Sequence, residues 1–142
     1  MQGRAIGTQT ANIAFGGTTS TGSPAVTAVT QSWNGSSWTT VSGGNMNSSR
    51  YQVGAAGTQT AGLAFGGGAV NTDTVSSATE LWNGSTWTSS PTSLTTARSA
   101  GGGIGTQSAA IYFSGALQPG GGSPATEEWT GTAVAVRTIT TS

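Results

Sequence analysis

The sequence contains no cysteine and no histidine. Without cysteine the chain has no disulfide and no thiolate metal site, and its redox compartment stays open. Without histidine it lacks the commonest general base, the usual catalytic triads and most zinc sites. We therefore expect a protein that is not an enzyme and that carries neither a metal nor another cofactor.

Charge is also scarce. Charged residues make up 6% of the 142 residues, lysine is absent, and the four arginines and four acidic residues give a formal net charge of zero. A nucleic-acid partner or an anionic membrane surface would require clustered basic residues, so neither is expected. No stretch has the apolar length of a membrane helix, and the N-terminal segment lacks the pattern of a signal peptide.

The few acidic residues do not suggest a catalytic pair of carboxylates. Glu127 and Glu128 are adjacent, and adjacent residues on a strand face opposite sides of the sheet. Glu80 is aligned with Glu128 ahead of a repeated tryptophan, and a repeated position favours a structural role. Asp73 stands alone in a polar loop, where one carboxylate is a poor site for a calcium ion that needs six to eight oxygens.

The sequence does contain one phrase three times. It reads GTQTANIAFGG at Gly7–Gly17, GTQTAGLAFGG at Gly57–Gly67 and GTQSAAIYFSG at Gly105–Gly115. A second phrase follows each copy, as QSWNGSSWT, ELWNGSTWT and EEWTGTAVA. The copies start 50 and 48 residues apart, a period that indicates one repeated structural unit. We therefore treat residues 1–142 as a single domain with repeats at about 1–44, 45–92 and 93–142.

Each repeat is predicted to form four short strands. The 24 glycines, together with many Ser and Thr residues, disfavour helix interiors, and short apolar runs bounded by Gly and Asn are typical of strands. A polar loop is predicted at 68–77, and Asn83-Gly84 predicts a hairpin with a type I′ turn. The strands predicted for the second copy are at about 52–57, 62–67, 78–82 and 86–90.

Side-chain size changes along each repeat. Small residues, mostly Gly and Ala, dominate the first strand, as in 53–57 and 101–105, whereas the later strands carry tryptophans that include Trp82 and Trp87. Sheets that converge on an axis need small residues near the axis and large residues where the gap between sheets widens. We therefore predict an all-β fold, a β-propeller with three four-stranded blades.

Other features recur in fixed places within the repeats. A Gly-Gly pair closes the second strand at Gly16-Gly17 and Gly66-Gly67, tryptophans follow on the third and fourth strands, and Arg50 and Arg98 open the second and third copies. In these features the repeats resemble kelch repeats, whose blades often open with an arginine. The resemblance covers the whole chain and implies a kelch-type half propeller, because kelch propellers usually have six or seven blades. The GTQTA wording is similar to kelch-like segments of phage structural proteins, which implies a virion or extracellular surface.

The expected function is that of a non-enzymatic structural or adhesive module. The alternative is a lectin-like binder of neutral glycans. Long loops that differ between repeats follow the second and fourth strands, and variable loops on a fixed scaffold often carry binding. Equally, these loops could be solvated connections only. The candidate ligand-binding residues on this long-loop face are Asn45, Asn47, Arg50, Asn71, Asp73, Arg98 and Gln118.

Three blades cannot close a ring, since propellers have about four to eight. An open half ring would expose apolar faces at both ends. We therefore expect the chain to be its own partner, in a head-to-tail homodimer of six blades in which 133–141 forms the outer strand of the third blade. The alternative is a dimer in which this last strand is exchanged between the two chains.

Overall fold

The protein is built from β-strands. The computed structural model describes residues 3–19, 25–69, 74–131 and 134–136, and every regular element within them is a strand of two to four residues. The expectation of an all-β fold is confirmed. Within these ranges no helix is long and apolar enough to cross a membrane.

Three four-stranded antiparallel sheets follow one another along the chain. Sheet I consists of β1 (Arg4–Gly7), β2 (Asn12–Phe15), β3 (Thr30–Trp33) and β4 (Trp38–Thr40). The chain continues with β5 (Gly54–Gly57), β6 (Gly62–Phe65), β7 (Gly68–Ala69), β8 (Thr74–Val75), β9 (Thr79–Trp82) and β10 (Trp87–Ser89). Of these, β5, β6, β9 and β10 form sheet II, whereas β7 and β8 form a separate hairpin. Sheet III consists of β11 (Gly102–Gly105), β12 (Ala110–Phe113), β13 (Thr126–Trp129) and β14 (Val134–Val136).

The three sheets share one register, so their residues can be matched one to one. In every sheet the first strand pairs with the second, the second with the third and the third with the fourth. The first strands, β1, β5 and β11, also contact one another in that order. The matched triplets at one end of the sheets are Gly7, Asn12 and Trp33; Gly57, Gly62 and Trp82; and Gly105, Ala110 and Trp129.

Successive sheets pack face to face through two apolar clusters. We call the face that a sheet turns toward the next sheet its forward face, and the opposite face its rear face. The first junction joins the forward face of sheet I, with Ile13 and Phe15, to the rear face of sheet II, with Trp82 and Trp87. The second junction joins the forward face of sheet II to the rear face of sheet III. Its buried residues include Leu63, Phe65, Ala110, Tyr112 and Trp129.

Several predicted boundaries are corrected. The first two strands of the second repeat are shorter than predicted, because Gln52 and Gly66 adopt positive φ values of 52° and 58°, which interrupt extended backbone. The predicted polar loop at 68–77 contains the hairpin of β7 and β8. The final strand, predicted at 133–141, is seen as β14, which pairs with β13 of the same chain. The rest of that prediction lies outside the described residues.

The hairpin at Asn83 forms as predicted, but its type I′ turn is wrong. Trp82 pairs with Trp87, so the loop has four residues rather than two. The Asn83 side-chain oxygen accepts hydrogen bonds from the main-chain N–H groups of Ser85 and Thr86, both at 2.9 Å. A type I′ turn needs positive φ at both central residues, and here Gly84 has a φ of 97° whereas Asn83 does not have a positive φ.

Candidate functional site

The two arginines proposed as ligand-binding residues are buried. Arg50 is 3% exposed and Arg98 is 0% exposed. Each forms an ion pair with a buried glutamate: the Arg50 Nη2–Glu80 Oε1 and Arg98 Nη2–Glu127 Oε1 distances are both 2.6 Å. Their placement on an exposed binding face is therefore wrong, because a guanidinium taken out of water needs a fixed anionic partner, and each arginine has found one inside the fold.

Arg50 fastens sheet I to sheet II. Its Nη1 donates hydrogen bonds to the carbonyl oxygens of Gly66 and Ala78 at 2.6 and 2.8 Å. Its own carbonyl oxygen accepts a hydrogen bond at 2.8 Å from the N–H of Gly17, which follows β2 of sheet I. Burial lowers the pKa of Arg50, and the charge and hydrogen bond of Glu80 oppose that shift. The side chain thus organises one repeat while its backbone joins the repeat before it.

Arg98 repeats this arrangement between sheets II and III. Its Nη1 donates hydrogen bonds to Ser123 Oγ at 3.0 Å and to the carbonyl oxygen of Ala125 at 3.2 Å. Its carbonyl oxygen accepts a hydrogen bond from the N–H of Gly67 at 3.0 Å. The guanidinium carbon also lies 4.9 Å from the centre of the Tyr112 ring, a cation–π distance.

The ion pairs correct the predicted alignment of the acidic residues. Glu80 lies two positions before its tryptophan, and the residue that matches it in sheet III is Glu127, not Glu128. The predicted structural role of this repeated position agrees with its burial against an arginine. Sheet I carries Gln31 at the matching position.

The other predicted binding residues do not come together as one site. Asn47 is exposed, but its backbone N–H and its side-chain NH₂ group donate to Glu80 Oε2, at 2.7 and 3.0 Å, so these donors are engaged within the protein. Asn45 and Gln118 are exposed on separate loops. Asn71 and Asp73 lie outside the described residues.

Sequence reasoning missed a pair of bridging glutamines. Gln59, from the turn of sheet II, donates hydrogen bonds to the carbonyl oxygens of Asn12 and Trp33 in sheet I, at 3.1 and 2.7 Å. Gln107, from the turn of sheet III, donates to the carbonyl oxygens of Gly62 and Trp82 in sheet II, at 3.1 and 2.6 Å. The available signal was the glutamine repeated in GTQT and GTQS.

The bridging glutamines are positioned by tryptophans of their own sheets. The indole N–H of Trp82 donates to the carbonyl oxygen of Gln59 at 2.7 Å, and that of Trp129 donates to the carbonyl oxygen of Gln107 at 2.7 Å. Each of these two turns is therefore held on its own sheet by its backbone and reaches the preceding sheet with its side chain. The predicted packing role of the tryptophans extends to this hydrogen bond.

Tyr112 fills the second junction. Its ring lies against Gly54 and Gly101, and its hydroxyl oxygen accepts a hydrogen bond from the N–H of Gly101 at 3.2 Å. Burial raises the pKa of Tyr112, whereas the Gly101 hydrogen bond and the charges of Arg98 and Arg4 act in the opposite direction. A neutral phenol is therefore the form that this junction favours.

The two terminal faces present to solvent what the internal junctions bury. Phe15 and Phe65 on the forward faces of sheets I and II are each 1% exposed, whereas the matching Phe113 on sheet III is 44% exposed. Trp87 on the rear face of sheet II is 5% exposed, whereas the matching Trp38 on sheet I is 47% exposed. These two faces therefore carry the apolar groups and the hydrogen-bonding groups of a junction, but no sheet among the described residues covers them.

A groove of about 280 Å³ opens on sheet I near the start of its long loop. Its lining is more apolar than polar: Ala14, Phe15 and the exposed Val29 lie beside the polar side chains of Thr18, Thr19, Thr27 and Gln31. Such a surface can accept neutral polar groups. Within the part of the chain that the structure covers, no group of three or more acidic side chains could hold a metal ion.

Comparisons with known proteins indicate the fold and say nothing about the activity. No protein-family profile matches the sequence, and no curated protein matches it. Among solved structures the chain is similar to YjhT, a β-propeller-like structure, with a TM-score of 0.77 and 13% sequence identity. The match covers 96% of this chain and 45% of the YjhT chain, so the chain spans less than half the length of that protein.

Proposed function

We propose that this chain is a non-enzymatic structural module, a kelch-type half propeller whose three sheets are blades and which assembles head to tail into a ring. The observation that carries the proposal is the pair of exposed terminal faces. The position of Phe113 is buried in both internal junctions but open on the forward face of sheet III, and the position of Trp38, buried in the first junction as Trp87, is open on the rear face of sheet I. Exposed apolar surface of this kind is typical of an interaction site.

A second copy of the chain fits both faces at once. The forward face of sheet III offers Ile104, Ile111 and Phe113, which match Ile6, Ile13 and Phe15 in the first junction. The rear face of sheet I offers Trp38, which matches the Trp87 that packs on Phe15 with ring centres 4.6 Å apart. Contact between the third blade of one copy and the first blade of the next would therefore repeat a junction that the chain already makes.

The size of the ring follows from the number of blades. Two copies with three blades each give six, within the range of about four to eight that propellers use, and closed two-fold dimers are the commonest oligomers. The similarity to YjhT supports this, since one chain of the present protein spans 45% of that β-propeller-like chain. Two copies would supply roughly what one such chain supplies.

The non-enzymatic part of the proposal is supported by the state of the carboxylates. Glu80 and Glu127 are buried against arginines, so two of the four acidic side chains are committed to the fold. A ring that exposes its long loops would suit an adhesive or structural role on a virion or extracellular surface. Asn45 and Gln118, which are exposed on these loops, are the predicted ligand-binding residues that such a surface would present.

The assembly is tested by measuring the mass of the 142-residue chain in solution. Sedimentation velocity and native mass spectrometry should give a dimer, and Phe113→Asp should give a monomer because it places a charge in the junction. The matched change on a solvated position, Thr88→Asp, should leave the dimer intact. A wild-type chain that stays monomeric at all concentrations, or that forms a trimer, would overturn the proposal.

The lectin-like alternative is favoured by one observation, the groove on sheet I with its threonine hydroxyls and Gln31. Hydroxyl and amide groups of this kind can hydrogen-bond to a neutral sugar without any charge. Binding to an array of neutral oligosaccharides, lost in Gln31→Leu, would support this function. If the array gives no signal with the assembled protein, the alternative is wrong.

A further inference from the structure

We infer that the terminal blades of two copies are joined by the hydrogen bonds that join the internal blades. The Gln9 side-chain amide donates to the carbonyl oxygens of Ala110 and Trp129 in the next copy, and the Trp38 indole N–H donates to the Thr126 hydroxyl of that copy. The inference deepens the proposed self-assembly and rests on it. It names the groups that decide which faces meet and in which register.

The glutamine bridge is already made twice within the chain. The acceptors are the carbonyl oxygens of one matched pair on the preceding sheet: Asn12 and Trp33 for Gln59, and Gly62 and Trp82 for Gln107. The same matched pair on sheet III is Ala110 and Trp129, which pair with each other across β12 and β13. Sheet III therefore carries the third acceptor pair in the register used by the first two.

Gln9 is the third donor. Its carbonyl oxygen accepts a hydrogen bond from the indole N–H of Trp33 at 2.9 Å, as the carbonyl oxygens of Gln59 and Gln107 accept from their own tryptophans. The Thr8 N–H donates to the Ala11 carbonyl oxygen at 2.7 Å, and the matching Thr58 bond measures 2.8 Å. The Gln9 turn therefore has the conformation of the bridging turns, but its side chain is exposed and bonds to no described residue of its own chain.

A second donor and acceptor pair follows the same logic. In the first junction the indole N–H of Trp87 donates to the Thr30 hydroxyl at 2.9 Å, and both residues are buried. The residue that matches Trp87 on sheet I is the exposed Trp38, and the residue that matches Thr30 on sheet III is Thr126. A junction between sheet III and the sheet I of a second copy would bring this donor to this acceptor.

These bonds favour one arrangement of the copies over the others. The donors, Gln9 and Trp38, belong to sheet I, and the carbonyl acceptors belong to sheet III. Two copies that met through the same face would place acceptors against acceptors at Ala110 and Trp129, and would leave Gln9 unpaired. Head-to-tail contact satisfies both sets, so hydrogen bonding adds specificity to an apolar contact that by itself has little direction.

The experiment compares the dimer dissociation constant of the full chain with those of Gln9→Glu, Gln9→Ala and Thr126→Val. A two-fold ring contains two junctions, so Gln9→Ala removes four hydrogen bonds per dimer, and a rise in Kd of about 100-fold or more is expected. Gln9→Glu should raise Kd further. Its carboxylate only accepts hydrogen bonds and would face two carbonyl oxygens, and it would approach Glu128, which stands where Ser32 accepts a bond from Gln59.

Gln59→Glu is the matched control. It changes the glutamine at the same repeat position in an internal junction, so it should lower the midpoint of urea denaturation of a single chain. Gln9→Glu should leave that midpoint unchanged when the protein is diluted to the monomer. A wild-type dimer whose Kd is the same in Gln9→Glu, Gln9→Ala and Thr126→Val would overturn this inference and leave the assembly standing. A wild-type chain that never dimerises would overturn both, and it would do so before any variant is examined.

Discussion

The two internal junctions share a set of polar contacts, which we call the frame. They differ in the large side chains that occupy the space between the sheets, which we call the filling. In both, an arginine with its glutamate and a bridging glutamine occupy matched positions. The first junction is filled from the fourth strand of sheet II by Trp87, which packs edge-on against Phe15. The second is filled from the second strand of sheet III by Tyr112, whose ring centre lies 5.7 Å from that of Phe65.

The difference teaches that the repeat keeps the arginine–glutamate pair and the glutamine bridge more strictly than it keeps the large side chains that fill the junction. Sheet II has Ala64 and Trp87 where sheet III has Tyr112 and Val134. The large residue lies on the fourth strand in sheet II and on the second strand in sheet III, and the junction is filled in both cases. Cores tolerate such exchanges when total volume is kept, whereas a buried charge tolerates the loss of its partner poorly.

The largest effect should come from breaking the shared frame. Arg98→Met leaves the carboxylate of Glu127 buried without its cation, and we expect the free energy of unfolding to fall by about 3–5 kcal/mol. The double variant Arg98→Met, Glu127→Leu should recover most of the loss because neither charge remains. Urea denaturation measures both. Arg50→Met should behave alike, and a loss seen at only one of the two arginines would contradict a common frame.

A smaller loss in the free energy of unfolding should follow from adding a methyl group to the second junction alone. A Cβ on Gly54 would overlap the Cε2 atom of Tyr112, so Gly54→Ala requires the ring to move. We expect a cost of about 1–3 kcal/mol from this overpacking. Gly122→Ala, where a Cβ would meet nothing within 4 Å, is the control.

Combining Gly54→Ala with Tyr112→Ala tests whether the Tyr112 ring causes this cost. Removing the ring leaves a cavity, but it also removes the clash, so the cost of Gly54→Ala measured in the Tyr112→Ala background should vanish. Equal costs in the two backgrounds would mean that Tyr112 does not set the space at Gly54.

The repeat, the strand order and the burial of Trp82, Trp87 and Trp129 could be predicted from the sequence, because a repeated phrase buries the same face wherever a neighbouring sheet covers it. It was not sufficient for Arg50 and Arg98. Each partner glutamate lies 30 or 29 residues later, and an arginine before a strand is compatible with solvent as well as with burial. Two of the three acceptors of Gln59 are main-chain carbonyl oxygens, which every residue type carries and which therefore give no sequence signal.

The two fillings should also differ in their response to alkali. Burial raises the pKa of Tyr112 in the folded chain above its ordinary value of 10.0. The folded state therefore holds this proton more tightly than the unfolded state, and stability falls as pH rises above about 10 toward the folded-state pKa. Tyr112→Phe should lose this part of the pH dependence in urea titrations at pH 9 to about 11. An unchanged pH dependence would mean that the phenol ionises as freely when folded as when unfolded.

The smallest effects should come from two threonines that occupy one repeat position. Thr30 accepts the hydrogen bond of the Trp87 indole, whereas the buried hydroxyl of Thr79 has no partner among the described residues, since Val134 stands where a second tryptophan would donate. Thr30→Val should cost about 1–3 kcal/mol because it leaves an indole N–H unpaired. Thr79→Val should be neutral or stabilising by a few tenths of a kcal/mol, since it removes a polar atom that was buried without a bond. Both changes in the free energy of unfolding are measured by urea denaturation. In each variant a methyl group replaces a hydroxyl group at the same position of the repeat. A larger loss at Thr79 than at Thr30 would show that the hydroxyl of Thr79 is bonded after all, and that the second junction is no poorer in hydrogen bonds than the first.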